Sequence, residues 1–312
     1  MSTIYLKKKL KLIAATRKSM LALWQTNYVI EQVSKKYPSI KVSVNKILTK
    51  GDIVLDKPLN EIGGKSLFMK ELEISMQDKK SDFAVHSLKD VPFKLVEGFE
   101  LIAFCKREDP HDALVSNHYK SIDSLPLNAK IGTSSLRRKA QLLKYRPDLN
   151  IIPVRGNVQT RLKKLDDGMF DGIILAAAGL IRLNLAHRIS EFISKDICLP
   201  AVGQGVIVIE AMACNVDKVM PLKSINDRHT EICVIAERIF NQKLEGGCHV
   251  PIAAHAIWDK KTSNIKLCAF VSSLDGKSYI KDSIIGSDPH QIGYKLAQIF
   301  IDKGANQIIK QL

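Results

Sequence analysis

The sequence has 312 residues, of which 46% are hydrophobic and 25% charged, and its formal net charge is +15. This composition excludes a disordered or fibrous chain, and the length favours two or three domains over one. The charge indicates an anionic ligand and leaves nucleic acid, acidic lipid and a polycarboxylate open.

The first part of the chain alternates apolar strand-like runs with amphipathic helical stretches, which is typical of α/β domains. The predicted elements are a strand over Leu10–Ala15, a helix over Ser19–Lys36, a strand over Ile40–Leu48, a helix over Lys65–Gln77, and strands over Phe83–His86 and Leu101–Cys105. Asp90 follows the fifth of these elements, where α/β sheets usually place reactive groups. Two interpretations stay open for it, an acid or base and a surface Lys-Asp turn before Pro92.

A second block begins near Lys106 and repeats the pattern up to Gly205. Its predicted elements are a strand at Ile131, a helix over Leu136–Tyr145, and the segments Ile151–Val154, Val158–Leu165, Gly172–Ala177 and Leu180–Arg188, the last of them helical. The segment Gly132–Arg138 joins a strand to a helix, so free N–H groups, hydroxyls and two guanidinium groups would face one anion. The alternative is a serine N-cap followed by two solvated arginines. Arg155-Gly156-Asn157 with Arg161 repeats this theme.

The last block predicts a small α+β domain. It contains a helix over His229–Asn241, strands over Ile252–Trp258, Ile265–Val271 and Tyr279–Ile284, and a closing helix. Asp275-Gly276 predicts a hairpin turn. Cys248 follows Glu245-Gly246-Gly247, and a thiol on such a loop is either a reactive nucleophile in a basic cleft or a buried residue behind a glycine turn.

The six cysteines form no C-x-x-C motif, and the histidines His86, His249 and His255 have no recognised ligand spacing. The run Lys7-Lys8-Lys9 is followed at once by a predicted strand, which leaves no room for a transit peptide. No apolar stretch approaches transmembrane length. We therefore expect a cytoplasmic protein with free thiols, no metal and no membrane partner.

Seven ordered segments resemble the porphobilinogen deaminase family, also called the hydroxymethylbilane synthases, from about Leu12 to the C-terminus. They are Ala15–Ser19 with Leu21–Gln25, Gly63–Lys65, Ala84–Pro92, Gly132–Arg138, Arg155–Val158, Leu199–Gly205 and Leu244–Cys248. The resemblance implies an α/β fold with two domains like those of periplasmic binding proteins and a third, small α+β domain. The implied domains are 1–105 with 206–223, 106–205, and 224–312.

The resemblance also implies a transferase that joins four porphobilinogen molecules, with loss of ammonia, onto a dipyrromethane primer held by a thioether to Cys248. Hydrolysis then releases the linear tetrapyrrole hydroxymethylbilane. A monomer is implied, with porphobilinogen as its partner and no nucleic acid. The ionised Asp90 carboxylate would stabilise positive charge on the pyrrole nitrogens and help to move protons.

The carboxylate side chains of the rings require many polar partners. By resemblance these cofactor- and substrate-binding residues are Arg17, Ser19, Lys65, Ser87, Lys89, Thr133, Ser134, Ser135, Arg137, Arg138, Arg155, Gly156, Asn157, Arg161 and Gln204. The sequence departs from the family at Ser66, His111 and His249, which affects no proposed catalytic group.

Two other functions fit part of these observations. A non-catalytic polycarboxylate-binding protein would suit the basic cleft but would need neither Cys248 nor Asp90. A nucleic-acid-binding protein would suit the charge, but the sequence has no recognised binding motif.

Overall fold

The computed structural model describes residues 10–53, 68–244 and 250–310. The chain divides into two compact units, Met1–Arg107 with Val206–Glu231 and Glu108–Gly205 with Ile232–Leu312. The first unit is therefore built from two separate stretches of chain. The finer division into three domains stays a prediction.

The described strands are β1 (Lys11–Arg17), β2 (Lys41–Ile47), β3 (Phe83–Ser87), β4 (Phe99–Phe104), β5 (Asp112–Val115), β6 (Lys130–Gly132), β7 (Asn150–Ile152), β8 (Gly172–Ala176), β9 (Glu191–Ile193), β10 (Ile207–Met212), β11 (Ile252–Asp259), β12 (Asn264–Ser272) and β13 (Tyr279–Gly286). The described α-helices are α1 (Met20–Lys36), α2 (Lys50–Ile53), α3 (Lys70–Gln77), α4 (Leu136–Tyr145), α5 (Val158–Asp166), α6 (Ala177–Arg182), α7 (Val216–Val219), α8 (Arg228–Lys243), α9 (Pro289–Asp302) and α10 (Ala305–Lys310). Short 3-10 turns cover Leu88–Asp90, Ala186–Arg188, Ala213–Asn215 and Met220–Ile225.

The first unit contains a five-stranded sheet in the order β2-β1-β3-β10-β4. β1 is parallel to both neighbours, whereas β10 is antiparallel to β3 and β4. The inner strands are mostly apolar on both faces, as is typical of strands covered by helices, with His86 of β3 and Glu210 of β10 as buried polar exceptions. Val29 and Val33 of α1 pack in one core with Leu12, Phe83 and Ile209 of the sheet.

The second unit contains a five-stranded sheet in the order β7-β6-β8-β5-β9. Here β6 is parallel to its neighbours and β5 is antiparallel to β8 and β9, so both sheets follow one pattern. Two mixed sheets with covering helices confirm the predicted α/β class.

The second unit also contains the antiparallel sheet β11-β12-β13. Phe240 of α8 and Leu296 and Phe300 of α9 pack in one core with Leu267 of β12, which confirms the predicted α+β arrangement. β12 and β13 form the predicted hairpin, and Gly276 in its turn has φ +73°. A Cβ atom at Gly276 would lie 2.3 Å from the carbonyl oxygen of Ala140 in α4, so the hairpin turn contacts that helix closely.

Some predicted elements were wrong in extent. The helix expected over Leu180–Arg188 is α6 followed by a 3-10 turn, because Asn184 between them adopts φ +58° and cannot continue an α-helix. β5, β9 and β10 were not predicted from the residue pattern. The part of the predicted helix Lys65–Gln77 before residue 68 lies outside the described residues.

Candidate active site

A pocket in the first unit collects four of the predicted site residues, Arg17, Ser19, Ser87 and Asp90. The pocket is open to solvent on one side, and its roughly 450 Å³ of empty space includes part of that solvent. Arg17 ends β1 and Ser87 ends β3, and these two parallel strands are neighbours in the sheet. Because the carboxyl ends of parallel strands meet at one edge, the two side chains reach the same pocket.

The turns after these strands place the other two residues. Ser19 is the N-cap of α1, and its hydroxyl accepts a hydrogen bond from the Ala22 N–H at 3.3 Å. Asp90 ends the 3-10 turn that follows β3 and is partly exposed. Gln25 of α1 donates to the Ser87 hydroxyl at 2.8 Å and fixes its position. The predicted residue Lys89 lies in the same turn and is partly exposed.

Arg17 is held in place by two neighbours. Its guanidinium group forms a two-point ion pair with Asp52, including a bond from Nε to Oδ2 at 3.2 Å, and its Cζ atom lies 4.0 Å from the centre of the Phe68 ring. Burial works to raise the pKa of the Asp52 carboxyl, but the bond and charge of Arg17 outweigh it and the pKa lies below its ordinary value. Arg17 is therefore oriented before any ligand binds.

The segment Thr133–Ser135 folds as the N-terminal cap of α4. The Ser135 hydroxyl accepts a hydrogen bond from the Arg138 N–H at 3.4 Å, and the Ser134 hydroxyl donates to the Val154 carbonyl at 2.8 Å. The Thr133 hydroxyl accepts from the Ser135 N–H at 3.2 Å. The N-cap interpretation is confirmed for Ser135, and these hydroxyls are engaged within the protein.

Arg137 and Arg138 are buried and share the fully buried carboxylate of Asp112. Arg137 donates to Asp112 at 2.6 Å and to the Leu199 carbonyl at 2.7 Å. Arg138 donates to Asp112 at 2.7 Å and to the Ile174 carbonyl at 2.8 Å. The idea that they are solvated is wrong, because each pairs with an internal carboxylate. Ligand binding by them stays a prediction.

Asp112 is the centre of a larger buried network. Gln204, a predicted site residue, donates from Nε2 to Asp112 at 3.0 Å and to the Pro110 carbonyl at 2.7 Å, and the Cys198 thiol lies 3.2 Å from Asp112. Burial works to raise the pKa of Asp112, but the charges of the two arginines hold it well below its usual range. Burial, and then the Asp112 charge, raise the pKa of Cys198 to about 12.

The Arg155 segment differs because its guanidinium group is not fully engaged. Nη1 of Arg155 is buried and has no hydrogen-bond partner in the part of the chain that the structure describes. Gly156 adopts φ +112°, Asn157 caps α5 by accepting from the Thr160 N–H at 2.9 Å, and Arg161 donates to the Gly156 carbonyl at 2.8 Å. A buried donor without a partner costs free energy, which a bound carboxylate would recover.

Several predictions from the sequence have no structural account. Lys65, Cys248 and the departures Ser66 and His249 lie outside the described residues. Arg146, directly after α4, donates hydrogen bonds to Asp148 at 2.7 Å and to the Ile122 carbonyl at 3.0 Å, so it links two loops of the protein. No described helix is long and apolar enough to cross a membrane.

Sequence reasoning missed two residues near these sites. Asp112 was not predicted as a site residue, and the signal for it was a carboxylate that begins the otherwise apolar strand β5. His86 was read as a structural residue, yet it lines the pocket beside Asp90 and its Nε2 lies 2.9 Å from Glu210. The signal for His86 was its position one residue before the end of β3 and four residues before Asp90, within the Ala84–Pro92 segment.

Comparison with known proteins gives consistent matches over both units. Residues 12–219 match the family described as "Porphobilinogen deaminase, dipyromethane cofactor binding domain", and residues 231–302 match "Porphobilinogen deaminase, C-terminal domain". Porphobilinogen deaminase of Francisella philomiragia is 54% identical over 96% of this chain and 99% of its own length. The protein of that name from Francisella tularensis subsp. novicida is 55% identical over 95% of this chain and 98% of its own.

Solved structures give a more distant match. A mutant OxyR2 regulatory domain from Vibrio vulnificus, bound to sulfate, aligns with a TM-score of 0.42 at 11% identity, over 69% of this chain and 93% of its own.

Proposed function

The chain belongs to the porphobilinogen deaminase family, and from that premise we propose which of its residues perform the family's reaction. The protein is an enzyme of heme biosynthesis that joins porphobilinogen units with release of ammonia and yields hydroxymethylbilane. Its cofactor is dipyrromethane, which when bound supplies the terminal pyrrole ring to which the first new unit is joined. The protein is therefore a hydroxymethylbilane synthase, an enzyme of the transferase class.

The proposed catalytic role of Asp90 rests on the residues that surround it in the pocket of the first unit. This pocket combines one carboxylate with an oriented arginine, two hydroxyls and the ring of Phe68. Asp90 would hold a negative charge beside the pyrrole N–H groups and stabilise the positive charge that forms when ammonia leaves. Arg17 and Ser19 would bind carboxylates of the ring that Asp90 serves.

The donors of the protein fit a polycarboxylate cofactor. The buried Nη1 of Arg155 lacks a partner among the described residues, and only an acceptor such as a carboxylate would satisfy it. We propose that Arg155, Arg161 and Lys89 bind ring carboxylates directly. The Asp112 network supports a different role for Arg137 and Arg138. Their two positive charges exceed the single negative charge of Asp112, so the remaining positive charge would act on a ligand's carboxylates.

We propose Cys248 as the point of covalent attachment. A thioether resists hydrolysis, so a primer bound through sulfur would stay on the enzyme while the finished product is released. The +15 charge of the chain fits this use, since a growing polycarboxylate needs positive charge near it. The same proposal describes the protein as a monomer that acts in the cytoplasm, which light scattering and cell fractionation would check.

Intact mass tests the attachment site. The parent protein should exceed its sequence mass by two porphobilinogen units less two ammonia molecules, and Cys248→Ser should lack this excess. Cys214→Ser is the matched control, because Cys214 is an exposed thiol and its loss should leave the excess unchanged. If Cys248→Ser kept the excess, the thiol would not be the anchor. An unmodified parent that stayed unmodified after incubation with porphobilinogen would favour a non-catalytic polycarboxylate-binding protein.

Turnover tests Asp90. Asp90→Asn should lower kcat by about 10² to 10³-fold, the usual cost of removing one group that stabilises charge in the transition state, and should retain bound porphobilinogen. Asp78→Asn, which changes an exposed carboxylate of the same unit, should leave kcat unchanged. Equal rates for the two variants would remove Asp90 from the mechanism.

A further inference from the structure

A buried imidazole–carboxylate pair lies beside the pocket. His86 on β3 and Glu210 on β10 belong to neighbouring antiparallel strands, and His86 Nε2 lies 2.9 Å from Glu210 Oε2. Their side chains are 6% and 0% exposed. An ionised Glu210 only accepts hydrogen bonds, so we assign the hydrogen to Nε2, which leaves the lone pair of Nδ1 for another partner.

The pair is connected to the site. His86 lines the same pocket as Asp90, four residues further along the chain, and Arg17 on the neighbouring β1. One short segment of β3 and its following turn therefore brings an imidazole and a carboxylate to one ligand. A buried His–Glu pair that faced only the core would have no such access.

The surroundings of the ring are acidic. Glu210 Oε1 is buried without a hydrogen-bond partner among the described residues, so no second donor reduces the charge that Glu210 presents to His86. From α3, Glu73 adds a second carboxyl group, whose pKa is raised by burial and by the charge of Glu210 and lowered in part by His86. Among the described residues that line the pocket, the cationic side chain is that of Arg17, whose charge is paired with Asp52. Glu210 is thus placed to stabilise a positive charge that the ring acquires during a reaction.

The chemistry of the coupling requires two groups with opposite demands. A carboxylate that stabilises positive charge on the pyrrole nitrogens must stay ionised. A base that removes the hydrogen of the coupling carbon becomes protonated, and a carboxylate in that role would lose its charge when it is needed. An imidazole held by its own carboxylate meets the second demand and leaves Asp90 free for the first.

We propose that His86 is a second proton-transferring residue of this pocket and that Glu210 is its positioning residue. The inference rests on the proposed function of the pocket. As the new carbon–carbon bond forms, the methylene carbon loses its bond to the departing ammonia. His86 Nδ1 accepts the proton that leaves the coupling pyrrole carbon, and the electron pair of that C–H bond returns to the ring. The proton then passes to the released ammonia or to water, which restores the neutral imidazole.

The test uses His86→Gln, because the glutamine amide still donates to Glu210 but accepts no proton. We expect kcat to fall by about 10²-fold with KM within a few-fold of the parent value, as for loss of a general base. We also expect a larger kinetic isotope effect with porphobilinogen deuterated at the pyrrole ring carbon that loses its hydrogen on coupling. Without the imidazole, removal of that hydrogen becomes slower. Glu210→Gln should change both quantities in the same direction by a smaller factor.

A readout without turnover is the ¹⁵N spectrum of histidine-labelled protein. The signal that is absent from the spectrum of His86→Gln belongs to His86. In the parent protein its chemical shifts should show a hydrogen on Nε2 and none on Nδ1, and in Glu210→Gln they should show a mixture of both His86 tautomers. His255→Gln is the matched control, since His255 Nδ1 lies 3.6 Å from the buried Glu237 in the second unit and outside this pocket. It should lower the melting temperature without changing kcat or the isotope effect.

Three results would overturn the inference: an unchanged isotope effect in His86→Gln, a kcat within twofold of the parent, or the same kinetic loss in His255→Gln. If His86→Gln failed to fold, the isotope effect and tautomer in Glu210→Gln would decide. The proposed function fails separately, because in that case the parent protein itself would carry no primer and form no hydroxymethylbilane.

Discussion

Replacing Asp112 with asparagine should destabilise the second unit strongly. The substitution keeps the size of the side chain but removes the negative charge that two buried guanidinium groups share. Breaking a buried ion pair by removing one partner costs about 3–5 kcal/mol. At about 2–4 °C per kcal/mol for a large domain, the melting temperature should fall by roughly 6–20 °C.

The fall in melting temperature caused by Asp112→Asn should become smaller as the pH is lowered. The folded state holds the pKa of Asp112 below its unfolded value, so the carboxylate contributes its full stabilisation above about pH 4, the ordinary value for an aspartate. This contribution is lost as the pH falls below that value. The difference in melting temperature between the parent and Asp112→Asn should therefore be constant near neutral pH and should become smaller in acid.

Scanning calorimetry at several pH values measures both effects. Asp196→Asn is the control, because the Asp196 side chain is 95% exposed and its pair with Lys281 should contribute less than about 1 kcal/mol. A fall in melting temperature for Asp112→Asn no larger than that for Asp196→Asn would refute the reasoning, as would a difference between parent and variant that widened in acid.

Three more predictions follow from single side chains. Arg155→Ala should raise KM with little loss of stability, because its buried Nη1 has no described partner to lose, whereas Arg146→Ala should lower the melting temperature and leave KM unchanged. Gly276→Ala should cost about 1–3 kcal/mol in thermal unfolding, because a Cβ there meets α4 at 2.3 Å and the residue has φ +73°. At pH 8 the exposed Cys214 should react with a thiol reagent well before Cys198, whose pKa is about 12, as peptide mapping of the labelled protein would reveal.

The controls for these predictions come from the same chain. Gly98 also has a positive φ, +84°, but no described atom lies within 4 Å of its would-be Cβ, so Gly98→Ala isolates the backbone strain from the clash at Gly276. Equal losses for the two alanine variants would mean that the contact with α4 contributes nothing. Equal effects of Arg155→Ala and Arg146→Ala on KM would contradict the assignment of Arg155 to ligand binding. Faster labelling of Cys198 than of Cys214 would mean that the Asp112 network opens in solution.

Local signals predicted the elements that depend on local interactions. The helix predicted over Leu136–Tyr145 has those bounds in the structure, because Ser135 caps its first turn and its apolar residues recur at helical spacing. The helix predicted over Leu180–Arg188 was wrong because a left-handed Asn184 breaks it, and asparagine tolerates that conformation without requiring it.

Long-range interactions explain what the sequence could not predict. β10 pairs with β3 and β4, which lie far earlier in the chain, and nothing in the apolar residues of β10 identifies those partners. The arginines of the Gly132–Arg138 segment were correctly singled out, but their pairing with Asp112 depends on β5 meeting α4 in three dimensions. The His86–Glu210 pair likewise joins residues that are 124 positions apart.

The position of β10 between β3 and β4 also determines when the sheet of the first unit can be completed during synthesis. β3 and β4 leave the ribosome with no partner between them, since the strand that joins them is translated only after the whole 108–205 stretch. Until then the nascent first unit exposes two strand edges that other chains could pair with. A chain arrested in that interval should therefore be more prone to aggregate than one arrested after Met212, where both edges have been covered.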